Sequence, residues 1–110
     1  MEFQTESIGD DIAVIRGDGR LNMVSGPLLR DAVKRAIDGG RPRIVVDLSR
    51  VAFMDSSGLG ALIGSLKTAR ENHGDLRIVA PSTQVTMVLK LSNVETILTP
   101  HATVEEAYRD

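Results

Sequence analysis

The sequence contains no cysteine, no tryptophan and only three aromatic residues, Phe3, Phe53 and Tyr108. The absence of cysteine excludes disulfides, zinc–thiolate sites and thiol nucleophiles. With so few aromatic rings, the chain lacks the platforms on which nucleic-acid bases stack. Its formal net charge of −2 also argues against binding a phosphate backbone. We therefore expect no nucleic-acid partner.

Long apolar runs and clusters of metal ligands are missing as well. No stretch approaches the roughly 20 apolar residues that a membrane span requires. The first four residues, Met1 to Gln4, lack the basic and apolar regions of a signal peptide. The two histidines and the scattered acids show no metal-ligand spacing. We therefore expect a cytoplasmic protein without a membrane segment, a metal ion or a cofactor.

The length and composition fit one globular domain. A chain of 110 residues with 42% hydrophobic residues can bury one core and has no room for a second. We therefore assign residues 1–110 to a single domain. Strands are predicted where β-branched and apolar residues lie between turn residues: 3–8, 12–16, 43–48, 76–80 and, as a short edge strand, 96–98. The continuous apolar run within 43–48 is typical of a central strand that is covered on both faces.

Apolar residues at helical spacing predict helices between these strands. The helices are expected after Ser25 up to Asp38, over 57–72, from Thr83 to about Asn93, and over 104–108 behind Thr103. Ser25 is a plausible N-cap for the first of them. Two antiparallel strands followed by alternating helices and strands predict an α/β fold. Its mixed sheet would have four to five strands, with helices packed mainly on one face.

The most informative segment is 46–60, in which a hydrophobic strand leads through a short loop into the second helix. The loop brings Asp55, Ser56 and Ser57 to the helix start, where unpaired N–H groups and a partial positive charge favour a phosphate. A serine here can instead simply cap the helix. One cap suffices, and Asp55 can supply it, which leaves a serine free. We interpret the segment as a switch rather than a catalytic centre.

Other candidate sites are weaker. The glycines of 58–64 follow G-x-G-x-x-x-G, which is neither a dinucleotide fingerprint nor a phosphate-binding loop, so a nucleotide-binding or hydrolytic enzyme is disfavoured. A serine hydrolase would also need a base, and His73 is expected more than about 20 Å from Ser56 along the helix. The segment 19–22 is either a plain turn before the first helix or a polar rim beside the serine loop. Spacing alone does not choose between them.

Residues 47–62, with Phe-Met-Asp-Ser-Ser-Gly-Leu-Gly at 53–60, closely resemble the signature of the STAS family, and within it the bacterial anti-sigma-factor antagonists. The element order matches over nearly the whole chain. This resemblance implies partner switching. The unphosphorylated antagonist binds an anti-sigma factor that is also a serine kinase, and so releases a sigma factor. Phosphorylation of the antagonist ends the complex, and a serine phosphatase restores it.

The resemblance also implies roles for individual residues. Ser56 would be the phosphorylated serine, with Ser57 as the second choice. Contacts with the partner would involve Asn22, Asp55, Ser57, Gly58 and Leu59. Family members often have Gly-Glu-Leu-Asp where this chain has Gly-Arg-Leu-Asn at 19–22, so the acidic contact is replaced at Asn22. An alternative within the same fold is an accessory subunit of a transporter or of a stress-sensing complex.

Overall fold

A computed structural model describes residues 1–109, so Asp110, the last residue of the expected domain, lies outside the described residues. The helices and strands follow one another in this order: β1 Phe3–Ile8, β2 Ile12–Gly17, β3 Gly19–Leu21, α1 Gly26–Asp38, β4 Arg43–Asp47, β5 Val51–Met54, α2 Ser56–Glu71, β6 Asp75–Val79, α3 Thr83–Leu91, β7 Pro100–His101 and α4 Val104–Ala107. None of the helices within residues 1–109 is long and apolar enough to cross a membrane.

The main sheet has five strands in the order β1-β2-β4-β6-β7. β1 and β2 form an antiparallel hairpin, and the remaining neighbours are parallel, so the sheet is mixed. The middle strand is β4, and its residues Ile44, Val45 and Val46 are almost completely buried. The α/β class, the mixed sheet and the central position of the apolar run are therefore confirmed.

A second, two-stranded sheet pairs β3 with β5 in parallel. The sequence did not reveal this pair. Residues 19–22 were expected to form a turn or a polar rim, and the segment after β4 was expected to lead through a short loop into the second helix. Instead β4 ends at a turn in which the Asp47 carboxylate accepts a hydrogen bond from the Ser49 N–H at 3.0 Å. The chain then starts β5, which carries the polypeptide to the beginning of α2.

The Asp47 carboxylate is also held by Arg16, whose Nε donates to Oδ2 at 3.2 Å. Partial burial by itself would raise the pKa of Asp47. The hydrogen bonds from Ser49 and Arg16 outweigh that effect and lower the pKa below its ordinary value. Asp47 therefore fixes the turn between β4 and β5 as a charged group.

The helices lie mainly on one face of the main sheet, as predicted. Buried residues of α1, α2 and α3 form one large apolar cluster with the strands. On the other face, a small cluster of Val14, Val45, Val79 and Ala107 is covered by α4. The Tyr108 hydroxyl closes this side by donating to the Ile44 carbonyl oxygen at 2.8 Å.

The Tyr108 ring lies close to two guanidinium groups. The Arg43 and Arg77 carbons (Cζ) are 4.6 and 4.4 Å from the ring centroid. Burial is the main reason why the pKa of the Tyr108 hydroxyl is raised, and the charge of Asp75 adds to the effect. Tyr108 therefore stays neutral and acts as a hydrogen-bonded anchor for the C-terminal segment.

The predicted edge strand at 96–98 is wrong. The amides of Ile97 and Leu98 both donate to the Val94 carbonyl oxygen, so the chain turns there instead of extending. The last strand is β7, which begins two residues after Leu98 and pairs with Ile78 and Val79 of β6. His101 belongs to that strand.

Candidate functional site

The start of α2 is capped by Asp55 and by neither of the two serines that follow it. Asp55 has an extended backbone, and its Oδ1 accepts a hydrogen bond from the Gly58 N–H at 2.9 Å. Its own N–H donates to the Leu21 carbonyl oxygen at 3.3 Å, which ties the loop to β3. Because the cap is supplied by the aspartate, the hydroxyls of Ser56 and Ser57 are not needed to hold the helix.

Ser56 and Ser57 are both exposed. Within the described part of the chain, neither hydroxyl makes a hydrogen bond. Ser56 is the first residue of α2, where the unpaired amides and the helix dipole favour an added negative charge. The site therefore offers a reachable hydroxyl in an electrostatic setting that suits a phosphate.

Gly58 and Leu59, expected at a partner contact, face the interior of the isolated domain. A Cβ placed on Gly58 would collide with the Leu21 carbonyl oxygen, so glycine is needed for the close approach of α2 to β3. The Leu59 side chain is 8% exposed and belongs to the main core. Their local role is to seat the helix start, and their contact with a partner stays a prediction.

Asn22 shapes the turn between β3 and α1. Its Oδ1 accepts hydrogen bonds from the backbone N–H groups of Val24 and Ser25 at 3.0 and 3.2 Å. Its backbone N–H donates to the Ser25 Oγ at 2.9 Å. Residues 19–22 are thus more than a plain turn, because β3 runs directly into a turn that Asn22 organises.

Ser25 lies at the N-cap position of α1, as predicted, but its hydroxyl does not cap the helix. Its backbone is helical rather than extended, and its side chain makes no capping hydrogen bond. The residue is 3% exposed, and its hydroxyl donates to the Arg20 carbonyl oxygen at 2.6 Å while it accepts from the Asn22 N–H. The hydroxyl is therefore committed to the turn and is not available to the helix.

The same turn presents two apolar side chains to solvent. Met23 is 74% exposed and Val24 is 76% exposed. The turn lies beside the serines, since a Cβ on Gly26 would be 3.7 Å from the Ser57 carbonyl oxygen. Exposed apolar residues next to a reachable polar site are typical of a protein-binding surface. Their position in a polar turn could have indicated this surface from sequence, but it was missed.

Arg20 and Phe53 extend this surface along the small sheet. They are register partners in β3 and β5, and the Arg20 guanidinium carbon (Cζ) lies 5.6 Å from the Phe53 ring centroid. Within residues 1–109 Arg20 forms no salt bridge. We call the whole set the α2-start surface; it consists of Arg20, Met23, Val24, Phe53, Ser56 and Ser57.

A family model described as the STAS domain matches residues 3–107. The chain belongs to the STAS-domain family. This result confirms the resemblance first noted at residues 47–62. Among curated relatives of this STAS domain is an anti-sigma-B factor antagonist of Staphylococcus epidermidis, 26% identical over 99 residues, which make up 89% of this chain and 92% of that protein.

Two solved structures have the same fold as this chain, and each is 30% identical to it in sequence. The anti-sigma factor antagonist SpoIIAA in its unphosphorylated form matches this STAS domain with a TM-score of 0.80 at 30% identity, covering 96% of this chain and 91% of that one. The phosphorylated form of the Bacillus cell fate determinant SpoIIAA matches with a TM-score of 0.74, also at 30% identity, over 96% and 95% of the two chains. That relative has thus been solved with and without the modification.

Both histidines of this STAS domain lie outside α2, the helix that begins with the two serines. His73 follows the last turn of the 16-residue helix, at the opposite end from Ser56. His101 lies in β7 at the edge of the main sheet. Within residues 1–109, no group of three or more histidine, aspartate or glutamate residues is arranged to hold a metal ion. The modification of Ser56 stays a prediction, and its support is the exposed hydroxyl at the start of α2.

Proposed function

We propose that this STAS domain is an anti-sigma-factor antagonist that is switched by phosphorylation of Ser56. Its unphosphorylated form binds an anti-sigma factor with serine kinase activity through the α2-start surface and thereby releases a sigma factor. The observation that carries this proposal is the exposed, unbonded Ser56 hydroxyl at a helix start that Asp55 has already capped. A serine phosphatase would return the protein to its binding form.

Phosphorylation changes the surface without requiring a change of fold. The phosphate adds about −1.5 to −2 charges at pH 7. The amides at the start of α2 can stabilise that charge within the domain. Since the Asp55 cap does not involve the Ser56 hydroxyl, the helix start keeps its hydrogen bonds.

The phosphate should affect binding to the partner much more than it affects the domain itself. Met23 and Val24 are expected to be covered in the complex, so the neighbouring Ser56 hydroxyl would be removed from water with them. A phosphate in that place would be a desolvated charge facing a surface fitted to a neutral group. Such a charge costs several kcal/mol when it finds no partner, which is enough to end the complex.

Arg20, on the α2-start surface, and Asn22, in the turn beside it, stand where family members often have acidic residues. Arg20 presents a cation on β3, and Asn22 uses its side-chain oxygen to organise the turn. The partner is therefore expected to place an acidic or neutral group opposite Arg20, since like charges across an interface are unfavourable. The charge of Arg20 would therefore restrict which anti-sigma factors bind, and it would leave the phosphorylation switch unchanged.

Phosphorylation with the cognate kinase tests the site. Incubation with the kinase and ATP is expected to add one phosphate, which mass spectrometry of peptides locates at Ser56. Ser56→Ala should accept none, and the matched control Ser57→Ala should accept phosphate normally. The assignment fails if Ser56→Ala is modified as efficiently as the native chain.

Binding tests the switch. In a pull-down with the anti-sigma factor, Ser56→Ala should bind constitutively and Ser56→Asp should be released. Ser49→Asp is the matched control, because Ser49 is an exposed serine in the turn at the opposite end of β5. Equal binding by Ser56→Asp and Ser49→Asp would show that charge at Ser56 does not control the complex.

A further inference from the structure

Strand β5 has a strand neighbour on one edge and a glutamine side chain on the other. β3 pairs with it on the first edge. On the second edge, Gln84 of α3 accepts a hydrogen bond from the Met54 N–H through Oε1 at 2.8 Å. Its Nε2 donates to the Met54 carbonyl oxygen at 2.9 Å. The side-chain amide thus makes the two bonds that the backbone of another strand would make.

The position of Met54 makes these bonds important. Met54 is the last residue of β5 and is 0% exposed. Its backbone N–H and carbonyl groups would have no partner on that edge without Gln84, and buried backbone groups are rarely left unpaired. The orientation of the amide follows from this, since the N–H needs an acceptor and the carbonyl needs a donor.

Met54 directly precedes the segment that carries the switch. The next residue, Asp55, is tied to β3 through Leu21 and caps α2 through Gly58. Gln84 is held in place by its own helix, which is capped by Ser82 and anchored by the buried Val85. The start of α2 is therefore fixed from β3 on one side and from α3 on the other.

We propose that Gln84 is a positioning residue for Ser56. It holds the end of β5 so that Asp55 caps α2 and Ser56 is presented in one conformation. What Ser56 is presented to rests on the proposed function, whereas the ordering of the segment does not. Loss of the two bonds would let the end of β5 move, and the cap on Gly58 would loosen with it.

Amide hydrogen exchange followed by NMR tests the ordering. Gln84→Met keeps a side chain of similar length and removes both bonds, while Gln84→Glu keeps only an acceptor for the Met54 N–H. In Gln84→Met, the amides of Met54 and Gly58 should exchange at least about tenfold faster, and Gln84→Glu should accelerate them as well because its carboxylate would face the Met54 carbonyl oxygen. Lys90→Ala, an exposed change on the same helix, is the matched control and should exchange like the native chain.

The Gly58 amide decides the outcome of this measurement. Its hydrogen bond goes to Asp55 and not to Gln84, so faster exchange there reports loss of the cap. Faster exchange at Met54 alone, or equal acceleration of the buried Val45 amide in β4, would overturn the proposal. The first result would mean that Gln84 only satisfies Met54, and the second that the whole domain is destabilised.

Phosphorylation kinetics give a second readout. A misplaced serine lowers kcat in the bound complex, whereas a smaller folded fraction raises the apparent KM and leaves kcat unchanged. We expect kcat for Gln84→Met to fall at least about tenfold and kcat for Lys90→Ala to match the native value. A change in KM alone would contradict the positioning role. A native chain that accepts no phosphate at Ser56 would overturn the proposed function, and the exchange measurement would still decide on Gln84.

Discussion

The starts of α1 and α2 lie side by side, and each carries a serine, yet the two hydroxyls have opposite fates. Ser25 is buried, and its hydroxyl bridges the Arg20 carbonyl oxygen and the Asn22 N–H. Ser56 is exposed, and the capping bond is made by Asp55. A serine at a helix start thus becomes part of the scaffold or stays available, depending on which neighbour supplies the local hydrogen bonds.

The two helix starts also differ in whether the serine hydroxyl contributes to stability or stays available for recognition. At α1, the serine holds together the turn that displays Met23 and Val24. At α2, Asp55 caps the helix, and Gly58 allows the helix to approach β3 closely. Substitutions at the two helix starts should therefore lower the free energy of unfolding by different amounts.

The largest effect on stability is expected at Gly58. Gly58→Ala forces a methyl group against the Leu21 carbonyl oxygen and should lower the free energy of unfolding by about 3 kcal/mol. Gly60→Ala is the matched control, because nothing lies within 4 Å of its Cβ position. That variant should be as stable as the native chain or up to about 1 kcal/mol more stable. Urea denaturation measures both, and equal stabilities would contradict close packing of α2 on β3.

The next largest effect is the contrast between the two serines. Ser25→Ala removes a buried hydroxyl and leaves the Arg20 carbonyl and the Asn22 N–H without partners, so it should cost about 1–3 kcal/mol of unfolding free energy. Ser56→Ala should stay within about 0.5 kcal/mol of the native value. Urea denaturation midpoints compare the variants directly. A loss at Ser56 as large as that at Ser25 would mean that its hydroxyl is structural after all.

Removal of the aspartate cap should have a somewhat smaller effect. Asp55→Ala loses the bond to the Gly58 N–H and should cost about 1 kcal/mol, the usual value for an N-cap. Asp55→Asn keeps an acceptor oxygen and should retain most of that stability. Thermal unfolding of both variants provides the measurement. If Asp55→Ala unfolds like the native chain, one of the serines has replaced the cap, and the distinction between the two helix starts is lost.

The smallest effect on stability is expected at Asn22. Asn22→Asp retains an oxygen for the Val24 and Ser25 N–H groups, so the free energy of unfolding should change by less than about 0.5 kcal/mol. The added charge should nevertheless alter binding to the anti-sigma factor, and a titration of the complex can detect this. A large loss of stability would show that the turn depends on the neutral amide.

The serine loop could be predicted because its signals are local. Asp55, Ser56 and Ser57 lie next to each other at the start of α2, and their order along the chain determines their positions in space. The α1 start was predicted less well, since the Ser25 hydroxyl is engaged by the Asn22 N–H and the Arg20 carbonyl, and no spacing rule describes that turn.

The contacts that organise the site from a distance could not be predicted. β3 is three residues long, and Arg20 pairs with Phe53, more than thirty positions away in the chain. Gly17 and Gly19 favour a turn when the sequence is read alone, since nothing in it shows that β5 pairs with this segment. The bonds between Gln84 and Met54 likewise join residues 30 positions apart. Such contacts depend on where the helices pack, and a single sequence carries no period that reveals it.

The small β3–β5 sheet lies apart from the five-stranded sheet and forms its own ribbon. It bears the exposed side chains of Arg20 and Phe53, while its residues Leu21, Val51 and Met54 are buried in the main core. Substitutions of Arg20 and Phe53 would therefore change the surface of this ribbon while its buried residues keep their place in the core. Duplicated copies of such a gene could diverge in specificity while inheriting an intact scaffold.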